Sequence, residues 1–149
     1  MMTEQERYSL ALQDLYQRTT QGIKLGLNNT QQLLTALGNP ESKMKHVVVA
    51  GTNGKGSTSS LLAAVCKEAG HRTGLYTSPH LLRFTERIKV DGTEISRSRV
   101  LEYYESIKRV EGSCDALPTF FEVTTAMALM AFADAGVEIA IMEVGLGGR

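Results

Sequence analysis

Residues 46 to 60 read HVVVAGTNGKGSTSS. A short β-branched run passes into a glycine-rich turn with one lysine, then into a string of small hydroxyl residues. Val47 to Ala50 is continuously apolar, as expected of a strand covered on both faces. A helix from about Lys55 to Ala69 follows, closed by Gly70 in the usual C-terminal glycine position. A strand, a glycine turn and a helix in that order bring main-chain N–H groups and a helix N-terminus to one point, where phosphate binds. Thr52, Asn53, Gly54, Lys55, Gly56 and Ser57 are therefore candidate nucleotide-binding residues, with the Lys55 ammonium set against the outer phosphates. The competing reading is a plain glycine-rich turn with a solvated lysine. One departure matters: the usual loop carries Ser or Thr directly after the lysine to hold magnesium, and here that place is Gly56, with Ser57 and Thr58 one and two positions late.

The rest of the chain alternates strands and helices. Thr3 to Arg18 carries Tyr8, Leu12, Leu15 and Tyr16 close to a helical stripe, and a loop rich in glycine and asparagine follows. Thr30 is expected to cap a short helix over Gln31 to Leu37. HRTGLYTS reads as a second strand, and RFTERIKVDGTEI as a hairpin turning at Asp91-Gly92. Arg97 to Val110 reads as a helix capped by Ser96, Thr119 to Ala135 as an apolar helix, and Val137 to Val144 as another buried strand. This is the pattern of an α/β domain, a mainly parallel sheet flanked by helices of the P-loop NTPase-like kind.

Composition narrows the partners. Lysine plus arginine and aspartate plus glutamate both number 16, so the formal net charge is zero. A general nucleic-acid or membrane-surface binder normally carries a basic excess. Cys66 falls in a helical pattern and Cys114 in a polar loop, which suits free thiols in a reducing cytoplasm. The polar start has no signal-peptide core, and 149 residues suit one domain. The chain is expected to be cytoplasmic. It stops at EIAIMEVGLGGR, a strand running into a glycine-rich turn, and so reads as the N-terminal piece of a longer protein.

Two residues can supply what Gly56 lacks. Ser78, in LYTSPHLLRFTERI, falls just past the second strand, at the edge where open parallel sheets bind ligands. Glu143 ends the last apolar strand, on the same edge if the strands are parallel. Hard oxygens of this kind suit magnesium, which takes few ligands from protein. The plainer alternatives are a turn or helix cap for Ser78 and an ordinary strand-end charge for Glu143.

GTNGKGST, YTSPHLLRFTERI, TFFE and EVGLGGR, in that order, resemble folylpolyglutamate synthase and its bifunctional dihydrofolate synthase relatives, which belong with the Mur-type amide ligases. The resemblance runs from about Gly22 to Arg149. It implies a central-domain fold of the Mur-ligase type and an ATP-dependent carboxylate–amine ligase of folate biosynthesis and one-carbon metabolism. ATP would phosphorylate a carboxylate, and the amino group of L-glutamate would displace phosphate from the acyl phosphate. The acceptor would be dihydropteroate or tetrahydrofolate. Lys55 and Glu143 would be catalytic, and Ser78 and Glu143 would bind Mg2+. The pterin would meet Lys24, Leu25 and Gly26, together with Thr119, Phe120, Phe121 and Glu122. A capping box between Thr119 and Glu122, with the phenylalanines in the core, is the alternative there. The resemblance further implies a monomer, and a C-terminal glutamate-binding domain that these residues do not include. His80 and Arg83 lie beside Ser78 and are placed equally well at phosphate or in solvent. Against the ligase stand a P-loop phosphotransferase, which would leave a stable phosphorylated acceptor, and a nucleotide-binding switch module, for which no guanine-reading motif is present.

Overall fold

The computed structural model describes residues 1–21 and 26–145. The chain divides into two compact units, Met1–Pro40 with Ser96–Met130, and Glu41–Ile95 with Ala131–Arg149. Each has its own buried apolar set.

The first unit is helical. α1 (Glu4–Gln17) starts at a capping box, with the Thr3 hydroxyl accepting from the Glu6 amide while the Glu6 carboxylate accepts from Thr3. Its stripe Tyr8, Ala11 and Leu15 is buried. α2 (Asn28–Ala36) begins earlier than the expected cap at Thr30. The side chains of Asn28, Asn29 and Thr30 bond to residues 115–122 instead of capping the helix. α4 (Arg97–Val110) is capped by Ser96, whose hydroxyl accepts from the Arg99 amide at 3.2 Å. It buries Val100, Leu101, Tyr103 and Ile107. α5 (Phe120–Asp134) is apolar nearly all round, which suits a helix buried on most sides. Its last residues belong to the second unit.

The second unit is a five-stranded sheet: β1 (Lys45–Val49), β2 (Thr73–Tyr76), β3 (Ile88–Val90), β4 (Thr93–Glu94) and β5 (Ile139–Glu143), in the spatial order β1-β5-β2-β3-β4. β1 and β2 both pair with β5 in parallel, while β2–β3 and β3–β4 are antiparallel. The sheet is thus only half parallel, a correction to the mainly parallel expectation. Two direct returns cause it: the connection from β2 to β3 carries a 3-10 turn (Phe84–Arg87) and no crossover helix, and Asp91 (φ 48°) and Gly92 (φ 83°) turn β3 straight back into β4.

β1 also departs from expectation. Among the described strands it is an edge, with Val47 39% and Val48 59% exposed, and only Val49 buried. Its apolar run has the composition of a two-face-covered strand, yet hydrogen-bonds to a neighbour on one side only. α3 (Lys55–Glu68) packs Leu62, Ala63 and Cys66 against Val49, Leu75 and Ile141.

Candidate functional site

The ends of three strands build the site. β1, β5 and β2 are parallel neighbours, with Val49 opposite Glu143 and Tyr76 opposite Met142. The turn after β1, the last residue of β5 and the turn after β2 therefore lie on one edge of the sheet, where the crevice of an open α/β sheet opens.

In the first turn, Gly51 has φ 150° and Gly54 φ 73°. Gly54 is the N-cap of α3 in a left-handed conformation and accepts from the Thr58 amide at 3.0 Å. A side chain there would be strained. Thr52, Asn53 and Gly54 are exposed, while Lys55 is half-buried and folds back over the turn: its Cγ is 3.9 Å from a Cβ built on Gly51. Ser57 is exposed in the first turn of α3, and Gly56 faces the sheet's carboxylate, with Glu143 Oε2 3.9 Å from a Cβ built on it. Ser59 is buried, and its hydroxyl has no hydrogen-bond partner among the described residues.

Glu143 is buried at 7% exposure, and its Oε2 accepts the Ser78 main-chain N–H at 3.1 Å. The structure thus brings together Lys55, Gly56, Ser78 and Glu143, which the sequence separates by up to 88 positions (143 − 55). A carboxylate, a hydroxyl, a lysine and a helix N-terminus at one edge can hold a phosphate chain together with a hard cation.

The neighbours of Ser78 are committed elsewhere. Arg87 Nε donates to His80 Nδ1 at 2.8 Å, and burial together with the Arg87 charge pushes the imidazole below its ordinary value. Arg83 pairs with Glu94 at 2.9 Å. Glu86, which the sequence reading passed over, accepts the Leu81, Leu82 and Arg83 amides at 2.9, 3.1 and 2.8 Å. Those donors, Leu81 first, hold its carboxyl below the usual range. Local sequence carries no signal for Glu86, since a capping box opens on Ser or Thr and Arg83 has no acceptor to complete one.

The second candidate set lies in the helical unit. Lys24 and Leu25 lie outside the described residues; Gly26 is exposed with φ 117°. At the start of α5 the capping box is formed: the Glu122 amide donates to the Thr119 hydroxyl at 3.2 Å, and the Thr119 amide to Glu122 Oε2 at 2.8 Å. Asn29 Nδ2 adds a bond to Oε2 at 3.0 Å and the Thr30 hydroxyl one to Oε1 at 3.3 Å. Phe120 stacks on Tyr16 with centroids 5.6 Å apart, and Phe121 is 44% exposed. Just upstream, the buried Arg18 guanidinium bonds Asp14, Glu111 and the Pro118 carbonyl. Asp14 at i−4 was a local signal for that arginine, whereas its other partners, Glu111 and Pro118, lie 93 and 100 residues away.

Comparison with known proteins finds relatives along most of the chain. The chain is 44% identical over 130 residues to a probable bifunctional folylpolyglutamate synthase/dihydropteroate synthase of Haloferax volcanii, covering 85% of this chain and 16% of that protein. It overlays a solved structure of the Escherichia coli protein FolC in complex with DHPP and ADP with a TM-score of 0.89 and 35% identity, over 100% of this chain and 36% of that one. A bifunctional folylpolyglutamate synthase/dihydrofolate synthase with Mn, AMPPNP and L-glutamate bound gives 0.88 and 37%, over 99% and 35%. No protein-family model matches the chain. The chain spans between 16% and 32% of the length of the first four curated relatives.

Proposed function

From a chain homologous along most of its length to folylpolyglutamate and dihydrofolate synthases, we propose that these residues are the nucleotide-binding and pterin-binding part of an ATP-dependent ligase that joins L-glutamate to dihydropteroate or to a tetrahydrofolate. The observation that carries the reading is the meeting of the glycine turn, Ser78 and Glu143 at one sheet edge, with the Ser78 amide 3.1 Å from the Glu143 carboxylate. Relatives bound to ADP with DHPP, and to AMPPNP with L-glutamate, support the same substrates.

The residues fit a small hard cation. Glu143 offers a buried carboxylate and Ser78 a hydroxyl, while Gly56 puts no side chain between that carboxylate and the start of α3. Among the described residues no three His, Cys, Asp or Glu side chains gather as a metal centre. A cation here would take most of its ligands from phosphate and water, as magnesium does. When bound, magnesium would neutralise charge on the transferring phosphoryl group.

The chain's own residues do the rest. The amides of residues 52–57 and the N-terminus of α3 would cradle the phosphates, and Lys55 would bind their outer oxygens as charge develops. The γ-phosphoryl passes to the substrate carboxylate, releasing ADP. The glutamate amine then attacks the acyl carbon, forming the amide as phosphate leaves and a proton is lost. For the pterin, the reading uses Lys24, Leu25, Gly26 and Thr119 to Glu122. The protein is read as a cytoplasmic monomer acting on small molecules, and its zero net charge disfavours a nucleic-acid partner. No described helix is long and apolar enough to cross a membrane.

Calorimetric titration of the 149-residue chain with MgATP, then with dihydropteroate, tests the reading. Saturable MgATP binding that Lys55→Ala abolishes is expected. A chain shown to be folded that binds neither ligand, or a Lys55→Ala variant that binds like wild type, overturns it.

A further inference from the structure

The connection from β2 to β3 has a tip that packing does not hold. Leu81 is 90% and Leu82 83% exposed, and Arg83 beside them is exposed as well. Two leucines standing in water gain nothing from apolar burial, so the shape of this tip falls to polar bonds. Glu86 provides them: Oε2 accepts the Leu81 amide, and Oε1 accepts those of Leu82 and Arg83. Bonds from main-chain N–H to an ionised carboxylate are the stronger kind.

The two ends of this connection are tied down. Phe84, Thr85, Arg87 and Ile88 are buried, and the Thr85 hydroxyl donates to Glu94 at 2.6 Å. At the base, the Thr77 amide donates to the Arg87 carbonyl at 3.0 Å, and Arg87 Nε reaches back to His80. Ser78 therefore sits on a closed loop with a fixed base, and its tip is gathered by one carboxylate. We propose that Glu86 is a positioning residue: by collecting the amides of residues 81–83 it fixes the loop that presents Ser78 to Glu143. This rests on the metal–nucleotide reading of those two residues.

The test uses Glu86→Gln in the 149-residue chain. The carboxamide nitrogen must face one of the three N–H donors, so at least one bond is lost while size is kept. Amide hydrogen exchange is read first. Exchange at Leu81, Leu82 and Arg83 should quicken by about tenfold or more, the Ser78 amide should quicken with them, and the core amides of β5 should not change. Nucleotide titrations with and without Mg2+ are read second. The gain in ATP affinity on adding Mg2+ should fall by about tenfold, the worth of one lost charged hydrogen bond, while metal-free affinity, carried by the glycine turn, stays within about twofold. A purely structural role would lower both together. Glu86→Asp, which keeps the charge but is one methylene short, should fall between wild type and Glu86→Ala. Unchanged Ser78 exchange in Glu86→Gln overturns the proposal. If Ser78 responds but wild type shows no metal-dependent binding, the positioning stands and the nucleotide reading fails.

Discussion

Gly74 offers a sharp test of how the sheet that carries the site is packed. It sits in β2 between two strands, opposite Ala140 of β5 and Val90 of β3. A Cβ built on it would lie 2.6, 2.7 and 2.7 Å from Cδ1, Cε1 and Cγ of Phe132. Non-bonded carbons rest at about 3.5–4.0 Å, so an alanine demands a separation of about 1 Å more. Neither side yields easily, because Phe132 is fully buried in the last turns of α5 and β2 is held by ladders on both edges. Overpacking of this kind costs about 1–3 kcal/mol, and rigidity on both sides puts Gly74→Ala near the upper end. Alanine returns about 0.5–1 kcal/mol through the glycine's lost backbone freedom, leaving a net loss of about 2 kcal/mol. Urea unfolding should show a lower midpoint at unchanged slope. Phe132→Leu in the same chain should relieve the contact, so that the double variant is more stable than the two single losses predict, by about 1 kcal/mol. A Gly74→Ala variant within about 0.5 kcal/mol of wild type, or strict additivity with Phe132→Leu, refutes the reasoning.

Gly56→Ala separates stability from binding. Its helical position should gain about 1 kcal/mol in thermal unfolding, while the new methyl group, 3.9 Å from Glu143 Oε2, should weaken MgATP binding by about tenfold, or ~1.4 kcal/mol; undiminished binding in calorimetry counts against the site. Thr119→Ala should cost about 1 kcal/mol through the lost cap of α5, measured by denaturant. The Tyr104 hydroxyl, desolvated and donating to Asp14, is pushed up to about 12. The fold holds this proton more tightly than the unfolded chain does, so the stability it brings is whole below the ordinary tyrosine value and is lost as pH rises towards about 12. Tyr104→Phe should flatten that alkaline loss in pH-dependent unfolding. Val48→Lys, on the exposed edge strand, should change stability by no more than about 0.5 kcal/mol in urea unfolding.

The helices were legible where local chemistry marks both ends. Ser96 and Gly70 each stand at a helix boundary as read, and Asp91-Gly92 turns the hairpin. Two elements were misread for a common reason: their surroundings are set by distant residues. Residues 28–30 look like breakers and a cap, yet they are helical because their side chains hold a segment more than 80 positions away. The apolar run of β1 reports that the strand tolerates burial on both faces, while helices packed from elsewhere in the chain decide whether anything lies there. Gly74 went unremarked because its partner, Phe132, is 58 residues distant (132 − 74).

The candidate site was legible to a similar depth. Ser78 and Glu143 were recognisable as strand-end oxygens; that they meet follows from β2 and β5 being parallel neighbours, which spacing alone does not give. At Thr119-x-x-Glu122 the sequence left cap and ligand open, and the structure fills much of the carboxylate's capacity from within. Oε2 takes the Thr119 amide and Asn29, and Oε1 takes Thr30. An ionised carboxylate has about four acceptor positions, so a ligand here meets one that is already largely satisfied. Phe120 is likewise stacked on Tyr16, whereas Phe121 keeps 44% of its surface in solvent. If a flat heterocycle docks on this segment, Phe121 is the ring with area left to bury, and Glu122 acts first by fixing the helix start that aims it. A Phe121→Ala variant that loses pterin affinity while Glu122→Gln loses mainly stability is the pattern that this division of labour requires.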